Sequence, residues 1–358
     1  MRFIFKTDYN QDIDLFKHGG QRFWYSLLLA AMIVMPLVID TFWLGEVAYV
    51  LVLAIAGVGL MMLAGYTGLV SLGHAAFLGV GAYAHGFFLN HGVPFFVSVP
   101  LAALLAAAVG VAVAFPILRL TGAYLAIATL AFGLIIEQVF IRWEAVTGGF
   151  RGFSVPRVNM FGLDLTDGVP FYYLCLAILI IVLLAALNIL RSPTGRAMIA
   201  IRDSEVAAQS MGVNLALYKT IAFGLSAFFT GLAGALFAHK IGFLAPDAFN
   251  VLLSIQLLLL VVVGGLGSLH GAIYGAIFVG ALPQFIAIGR DFLPPNIASQ
   301  PGLEPGLFGL ILVLFIMFEP LGIYGRWLKI KLYFDLFPLY KRATFKRQKS
   351  YTKSERNR

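Results

Sequence analysis

Ten long apolar runs constrain this chain more than any other feature of its sequence. They cover residues 23–42, 47–64, 69–89, 94–118, 121–140, 171–190, 220–238, 251–267, 271–288 and 307–324. About 20 mostly apolar residues in a helix cross the hydrocarbon core of a bilayer. Only 12% of the 358 residues are charged, about half the share that a soluble domain needs for its surface. The sequence therefore predicts an all-α, polytopic transmembrane bundle of about ten spans.

The distribution of lysine and arginine predicts how this bundle is oriented. If all ten runs span, one side holds residues 1–22, Arg119, the loop 191–219 and the tail 325–358, with twenty basic residues in total. The other side, including the loop 141–170, holds five. Because cytoplasmic segments are enriched in lysine and arginine, both termini are predicted to be cytoplasmic. The net charge of +8 thus favours anionic lipid headgroups as the partner of the tail, rather than nucleic acid.

The chain lacks the motifs that would make it an enzyme. It has no GxxxxGK[ST] phosphate loop, no HExxH, no GxSxG and no metal-ligand spacing among its six histidines. Its one cysteine, Cys175, lies in an apolar run and excludes a disulfide within the chain. We expect no catalytic residue, metal or cofactor here, so any ATP and magnesium must be bound by a separate ATPase.

Ionisable groups inside the predicted spans are few. Apart from Asp40, two residues before the end of the first run, only Glu137 and Glu319 are charged residues within apolar runs, whereas ion-coupled carriers usually bury several carboxylates near the membrane centre. Glu137 is either an interfacial carboxylate near Arg142 or a contact for a cationic part of a solute. His74 and His270 lie beside Gly/Ser turns, where they satisfy backbone groups of broken helices or act in gating. Residues 69–89 are either a broken span or a re-entrant segment.

Small residues indicate close helix packing. The chain has 38 glycines, many of them inside spans, and residues 271–275 match GxxxG. Residues 227–235 offer a second face of small side chains. A faint internal similarity links residues 65–71 with residues 264–268, each a Gly/Ser turn followed by a histidine. Inverted repeats of this kind occur in transporters.

The loop 191–219 is predicted to contain an amphipathic helix. Ser204 and Glu205 provide a start signal, and Gly212 a stop. The apolar stripe consists of Met198, Ile199, Ile201, Val206, Ala207, Met211 and Val213. Such a stripe lies on a membrane surface or in a groove of a partner protein, and the residues alone leave both open.

This loop resembles the coupling loop of ABC importer permeases, which carries an EAA-x3-G pattern. Ala207, Ala208 and Gly212 keep the spacing of that pattern, although Val206 stands where the pattern has its glutamate. The resemblance implies that the loop docks in a cleft of the ATPase subunit. The residues expected to form the docking loop are Arg196, Arg202, Glu205, Ala207, Ala208 and Gly212.

Three further stretches are similar to the branched-chain amino acid permeases and to their LivM-type subunit. They are residues 65–83, residues 122–133 with the following 147–152, and residues 261–275. The resemblance implies a subunit of the bacterial cytoplasmic membrane that works by alternating access. Its expected partners are ATP-binding-cassette subunits, a second related permease and an extracytoplasmic solute-binding protein. The expected solute path includes Ser71, His74, Thr129 and Glu137.

Other readings of the sequence differ in the solute or in the source of energy. Relatives with the same fold carry urea, short amides or other small organic solutes. A self-contained secondary carrier is a further reading, but it predicts intramembrane charges that are missing here. A membrane-embedded enzyme is a third, and it lacks a cluster of nucleophile, base or metal ligands.

Overall fold

The computed structural model describes residues 19–117, 120, 122–160, 163–164, 168–290, 303–319 and 321–336. The helices of this part are α1 Gly19–Val34, α2 Thr41–Leu60, α3 His74–Asn90, α4 Phe95–Ile117, α5 Ala123–Arg142, α6 Glu144–Thr147, α7 Gly168–Arg191, α8 Pro193–Asp203, α9 Glu205–Ser210, α10 Leu215–Ile241, α11 Val251–Gly264, α12 Leu269–Arg290, α13 Leu303–Phe318 and α14 Gly322–Leu336. A π-helical turn, Met61–Gly65, extends α2. The predicted helical class is confirmed.

Seven helical segments of the described part are long and apolar enough to cross a membrane. They are Thr41–Gly65, Phe95–Ile117, Ala123–Arg142, Gly168–Arg191, Leu215–Ile241, Pro246–Gly264 and Leu269–Gly289. The remaining predicted runs correspond to the shorter helices α1, α3 and α13. The count of ten spans and the orientation of the termini stay predictions. The side that carries residues 191–219 is called cytoplasmic below, and the opposite side is called outer.

Two predicted boundaries are wrong. The run 23–42 does not form one helix, because α1 ends at Val34, a 3-10 turn follows at Met35–Leu37, and α2 already begins at Thr41. The run 307–324 is broken after Phe318, where Gly322 adopts a φ of +70° before α14 begins. Glu319 lies in this break and forms an ion pair with Arg326 of α14. The carboxylate thus joins two helices instead of facing a solute.

The core of the bundle forms around α10, which packs against α2, α3 and α4. Glycines let these backbones approach. A Cβ atom added to Gly81 of α3 would lie 2.2 Å from the carbonyl oxygen of Gly231, and one added to Gly234 would lie 2.0 Å from that of Leu78. A Cβ atom cannot come this close to a carbonyl oxygen, so only glycine fits at these two positions. The predicted small-residue face of α10 is therefore a close-packed interface.

The GxxxG match has the same structural role on the other side of the bundle. A Cβ atom at Gly275 would lie 1.8 Å from the carbonyl oxygen of Leu260, and one at Gly264 would lie 1.9 Å from that of Gly271. Helices α11 and α12 therefore pack backbone to backbone, as the sequence predicted.

The predicted outer loop, 141–170, folds into short elements around α6. A two-residue strand β1, Phe153–Ser154, pairs antiparallel with β4, Phe243–Leu244, after α10. The strands β2, Asn159–Met160, and β3, Leu163–Asp164, form a second small pair. Thr147 fixes the loop to the end of α5, because its hydroxyl donates to the carbonyl oxygen of Phe140 at 2.6 Å.

Candidate functional site

The cytoplasmic loop 191–219 forms two short helices, α8 and α9, rather than one. Ser204 adopts an extended conformation between them, with φ of −165°, and its hydroxyl accepts a hydrogen bond from the amide of Ala207. A serine in this position is a common helix N-cap. Gly212 follows α9 with a φ of +84°, which ends the helical path. The predicted start at Ser204 and stop at Gly212 are confirmed.

The predicted continuous apolar stripe is wrong, because the break at Ser204 rotates the two helices relative to each other. Met198 and Ile201 of α8 are buried, and so is Ala208 of α9. By contrast, Val206 is 77% exposed and Met211 is 86% exposed. Ala207 lies between them and is also exposed. We refer to Val206, Ala207 and Met211 as the docking face.

An ion pair fixes α9 to the helix bundle. The Nζ atom of Lys219, in the second turn of α10, lies 2.7 Å from Oε1 of Glu205. The Lys219 side chain is only 5% exposed, so its charge depends on this partner. Lys219 was not singled out from the sequence, although a lone lysine at the start of an apolar run was a usable signal.

Arg202, at the end of α8, connects the loop with the end of α2. Its Nη1 atom donates to the carbonyl oxygen of Gly65 at 3.1 Å, while Nε and Nη2 donate to Oδ1 of Asp203. Arg196 has a more local role, since its Nη1 atom donates to the carbonyl oxygen of Arg191. Of these two predicted docking residues, Arg202 therefore contacts the helix bundle, whereas Arg196 contacts a residue five positions earlier in the chain.

The two similar glycine turns come together at Arg202. A Cβ atom on Gly65 would lie 2.8 Å from the amide nitrogen of Gly267, and one on Gly267 would lie 3.0 Å from Nη1 of Arg202. Gly68, with a φ of +75°, also packs against the Arg202 side chain. The faint internal similarity thus marks two turns in direct contact, both adjoining the cytoplasmic loop.

The segment 69–89 is not helical along its whole length, and that it spans the membrane stays a prediction. Residues 68–73 are not helical, and α3 begins only at His74. His74 is fully buried, with Nδ1 2.9 Å from the hydroxyl of Ser71 and Nε2 2.7 Å from that of Ser226. The amide of Ala75 donates to the hydroxyl of Ser254 in α11 at 2.9 Å. Side chains of three elements therefore satisfy the polar groups of this helix start.

Thr129 belongs to the same network. Its hydroxyl accepts a hydrogen bond from the amide of Leu72 and donates to the carbonyl oxygen of Ala126. Thr129 is 1% exposed, and Ser71 and His74 are not exposed at all. The structure thus brings three of the four predicted solute-path residues together. In this conformation all three form hydrogen bonds around the non-helical segment that precedes α3.

The sequence as a whole matches known transport proteins. A family model described as "Branched-chain amino acid transport system / permease component" matches residues 44–317. The high-affinity branched-chain amino acid transport system permease protein LivM of Escherichia coli (strain K12) is 33% identical over 329 residues, covering 85% of this chain and 75% of that protein. The chain belongs to this permease family.

Two more distant relatives indicate the breadth of the similarity to this permease. The branched-chain amino acid permease protein BraD of Pseudomonas aeruginosa is 25% identical, covering 76% of this chain and 91% of BraD. The autoinducer 2 import system permease protein LsrC of Enterobacter sp. (strain 638) is 28% identical, covering 67% of this chain and 69% of LsrC. With seven long apolar helices in its described part, the permease is a multi-pass protein of the inner membrane.

On the outer half of the permease, the helix α5 that carries Glu137 packs against a turn that carries a second carboxylate. A 3-10 turn, Pro246–Phe249, packs against α5 and carries Asp247 within electrostatic range of Glu137. Arg142 forms no ion pair with Glu137, so the predicted interfacial pair is absent from the described residues. The proximity of Asp247 could not be read from the sequence, because it depends on the fold of residues 242–250.

A buried histidine pair lies near the outer surface of the permease. The Nε2 atoms of His85 and His239 are 2.8 Å apart, and Nδ1 of His85 lies 2.8 Å from the hydroxyl of Ser98. His239 also lines a cavity of about 360 Å³ together with Arg157 and Lys240. Lys240 is held by the carbonyl oxygen of Gly45 and by the Glu46 carboxylate. Sequence analysis did not predict this polar group.

Proposed function

We propose that this permease imports branched-chain amino acids by alternating access, powered by ATP that a separate ATPase subunit hydrolyses. The observation that carries the proposal is the docking face, an apolar surface held on a helix pair that is tied to the bundle by two polar contacts. ATP and magnesium are bound by the partner ATPase, and this chain binds no cofactor of its own.

The composition of α9 favours a protein groove over a membrane surface as the binding partner of the docking face. Helices that lie on membranes combine a long apolar face with lysine and arginine on the polar face. Helix α9 has six residues, of which one is acidic and none is basic. A short apolar surface such as the docking face is suited to insertion into a cleft of a partner protein.

The contacts of the loop suggest how the ATPase moves the bundle. A displacement of α9 is passed to α10 through Glu205 and Lys219. A displacement of α8 is passed to both glycine turns through Arg202. Because these turns adjoin the ends of α2 and α11, they form a hinge between the loop and the helix break at His74. Ser71, His74 and Thr129 then position the path, while Glu137 faces it.

The remaining partners follow from the family. We expect a second, related permease to complete the membrane part and an extracytoplasmic binding protein to deliver the solute. The names of the similar LivM and BraD proteins support branched-chain amino acids as the solute. The similarity to LsrC, named for autoinducer 2 import, supports another small organic solute as the second candidate.

The test is purification of the tagged permease from its host in a mild detergent, followed by uptake measurements in proteoliposomes. We expect an ATP-binding-cassette protein and a second permease to copurify, and radiolabelled leucine uptake to require ATP. Purification of the chain alone from several detergents, with uptake independent of ATP, would instead support a secondary carrier. ATP-dependent uptake of another small solute, without leucine uptake, would support the second candidate.

A further inference from the structure

Glu137 and Asp247 are two carboxylates on elements that pack against each other in the outer half of the bundle. Glu137 lies in α5, one turn before Phe140, and Asp247 lies in the turn that leads into α11. Neither carboxylate has a lysine or arginine within 4 Å among the residues that the structure describes. Glu137 is half-buried and Asp247 is exposed in this conformation, so a solute can reach both groups from the outer side. Glu137 lies inside the long apolar helix Ala123–Arg142, where ionisable residues are rare and commonly functional.

Tyr83 supplies a second, independent observation. Its ring packs against the rings of Phe140 in α5 and of Phe249 at the end of the Asp247 turn. The distances between ring centroids are 4.6 Å and 5.6 Å. Tyr83 is 2% exposed, yet among the residues that the structure describes its hydroxyl has no hydrogen-bond partner. Tyr83 therefore contacts both the helix that carries Glu137 and the turn that carries Asp247.

A buried hydroxyl without a partner is unfavourable, so it points to a partner that is present in another state. The two carboxylates each offer two acceptor oxygens and one negative charge, and the Tyr83 hydroxyl offers a further acceptor. A primary ammonium group has three N–H donors and one positive charge. An α-amino acid presents such a group.

We infer that Glu137, Asp247 and Tyr83 bind the ammonium group of the solute as it passes the outer half of the permease. This inference rests on the proposed import of amino acids and identifies the part of the solute that the membrane subunit recognises. The present conformation covers the Tyr83 hydroxyl. The Tyr83 hydroxyl becomes available when the Asp247 turn moves away from α5 during alternating access.

The inference is tested in the complete transporter, reconstituted with its ATPase, second permease and binding protein. The variants are Glu137→Gln, Asp247→Asn and Tyr83→Phe, each of which keeps the shape of the side chain. Glu144→Gln is the matched control, because Glu144 is an exposed carboxylate two residues beyond α5 on the same side. The measurements are leucine uptake at limiting concentration, ATPase activity and melting temperature.

Each carboxylate variant is expected to lower leucine uptake about tenfold, the effect of losing one charge-assisted hydrogen bond. The control is expected to match the wild type. Tyr83→Phe loses no hydrogen bond of the present conformation, so its melting temperature should not fall, while its uptake should. ATPase activity stimulated by the binding protein should persist in all variants, because the docking face is unchanged.

Three results would overturn the inference. In the first, the wild type takes up leucine and the three variants do so equally well. In the second, Tyr83→Phe alone keeps wild-type uptake, which removes the hydroxyl from the site. In the third, wild-type uptake requires sodium and Glu137→Gln removes that requirement, which makes the pair an inorganic cation site. Absence of leucine uptake by the wild type would instead contradict the proposed function.

Discussion

The Nζ atom of Lys219 lies 2.7 Å from Oε1 of Glu205, which joins the docking helix α9 to the buried start of α10. Because the Lys219 side chain is almost completely buried, removal of its partner leaves an uncompensated charge in the bundle. The same contact is the most direct mechanical link between the docking face and a central helix.

Glu205→Gln is therefore expected to destabilise the permease by about 1–3 kcal/mol, the cost of leaving a buried polar group unsatisfied. The double variant Glu205→Gln with Lys219→Met removes both charges and should recover most of that stability. Thermal unfolding in detergent measures this as a double-mutant cycle. A double variant no more stable than Glu205→Gln would show that the ion pair does not support the loop.

Arg202→Lys tests the connection between the loop and the glycine turns. A lysine cannot reproduce the forked contacts of arginine with the Gly65 carbonyl and the Asp203 carboxylate together. We expect ATP-dependent uptake to fall several-fold while the ATPase still copurifies. Arg196→Lys is the control, because Arg196 bonds only to the nearby Arg191 carbonyl in the described structure. Equal uptake by the two variants would contradict the role given to Arg202.

Gly275→Ala tests the packing of α11 against α12. The new methyl group would overlap the Leu260 carbonyl, and overpacking of this kind typically costs about 1–3 kcal/mol. Gly289→Ala, in the same helix, places its methyl group in open space and should leave the melting temperature unchanged. If both variants melt at the wild-type temperature, α11 and α12 are not in backbone contact.

The features that could be predicted from the sequence are those that depend on residues close together in the chain. Long apolar runs predicted the helices, and Ser204 and Gly212 predicted a helix start and stop, because capping and a positive φ are local properties. The single amphipathic stripe was wrong for a related reason. A 3.6-residue period applies only while the helix continues, and the extended conformation of Ser204 interrupts it.

The contacts that define the candidate sites depend instead on residues far apart in the chain. His74 is satisfied by Ser226 across 152 positions, and Arg202 bonds to Gly65 across 137. The pairing of β1 with β4 places Asp247 beside α5, although neither strand is long enough to give an alternating pattern. Only the fold determines such neighbours, so the contact of the Asp247 turn with α5 and the partners of His74 could not be predicted.

Gly212→Arg tests whether the loop docks the ATPase, and Gly92→Arg is its matched control. Both glycines have a similar positive φ, +84° and +78°, and a Cβ atom at either meets nothing within 4 Å. Any non-glycine residue there carries about the same conformational cost, roughly 1–2 kcal/mol, so the two variants should fold equally well. They differ in position, because Gly212 adjoins the docking face whereas Gly92 follows α3 on the outer side.

We expect Gly212→Arg to abolish copurification of the ATPase and ATP-dependent uptake, because the bulky charged side chain blocks insertion of the apolar face into a cleft. Gly92→Arg should keep copurification of the ATPase. The melting temperatures of the two purified variants should be equal, which would show that both substitutions destabilise the fold to the same extent. If Gly212→Arg binds the ATPase and transports like the control, residues 205–212 are not the docking element. The exposure of Val206 and Met211 then requires a different partner.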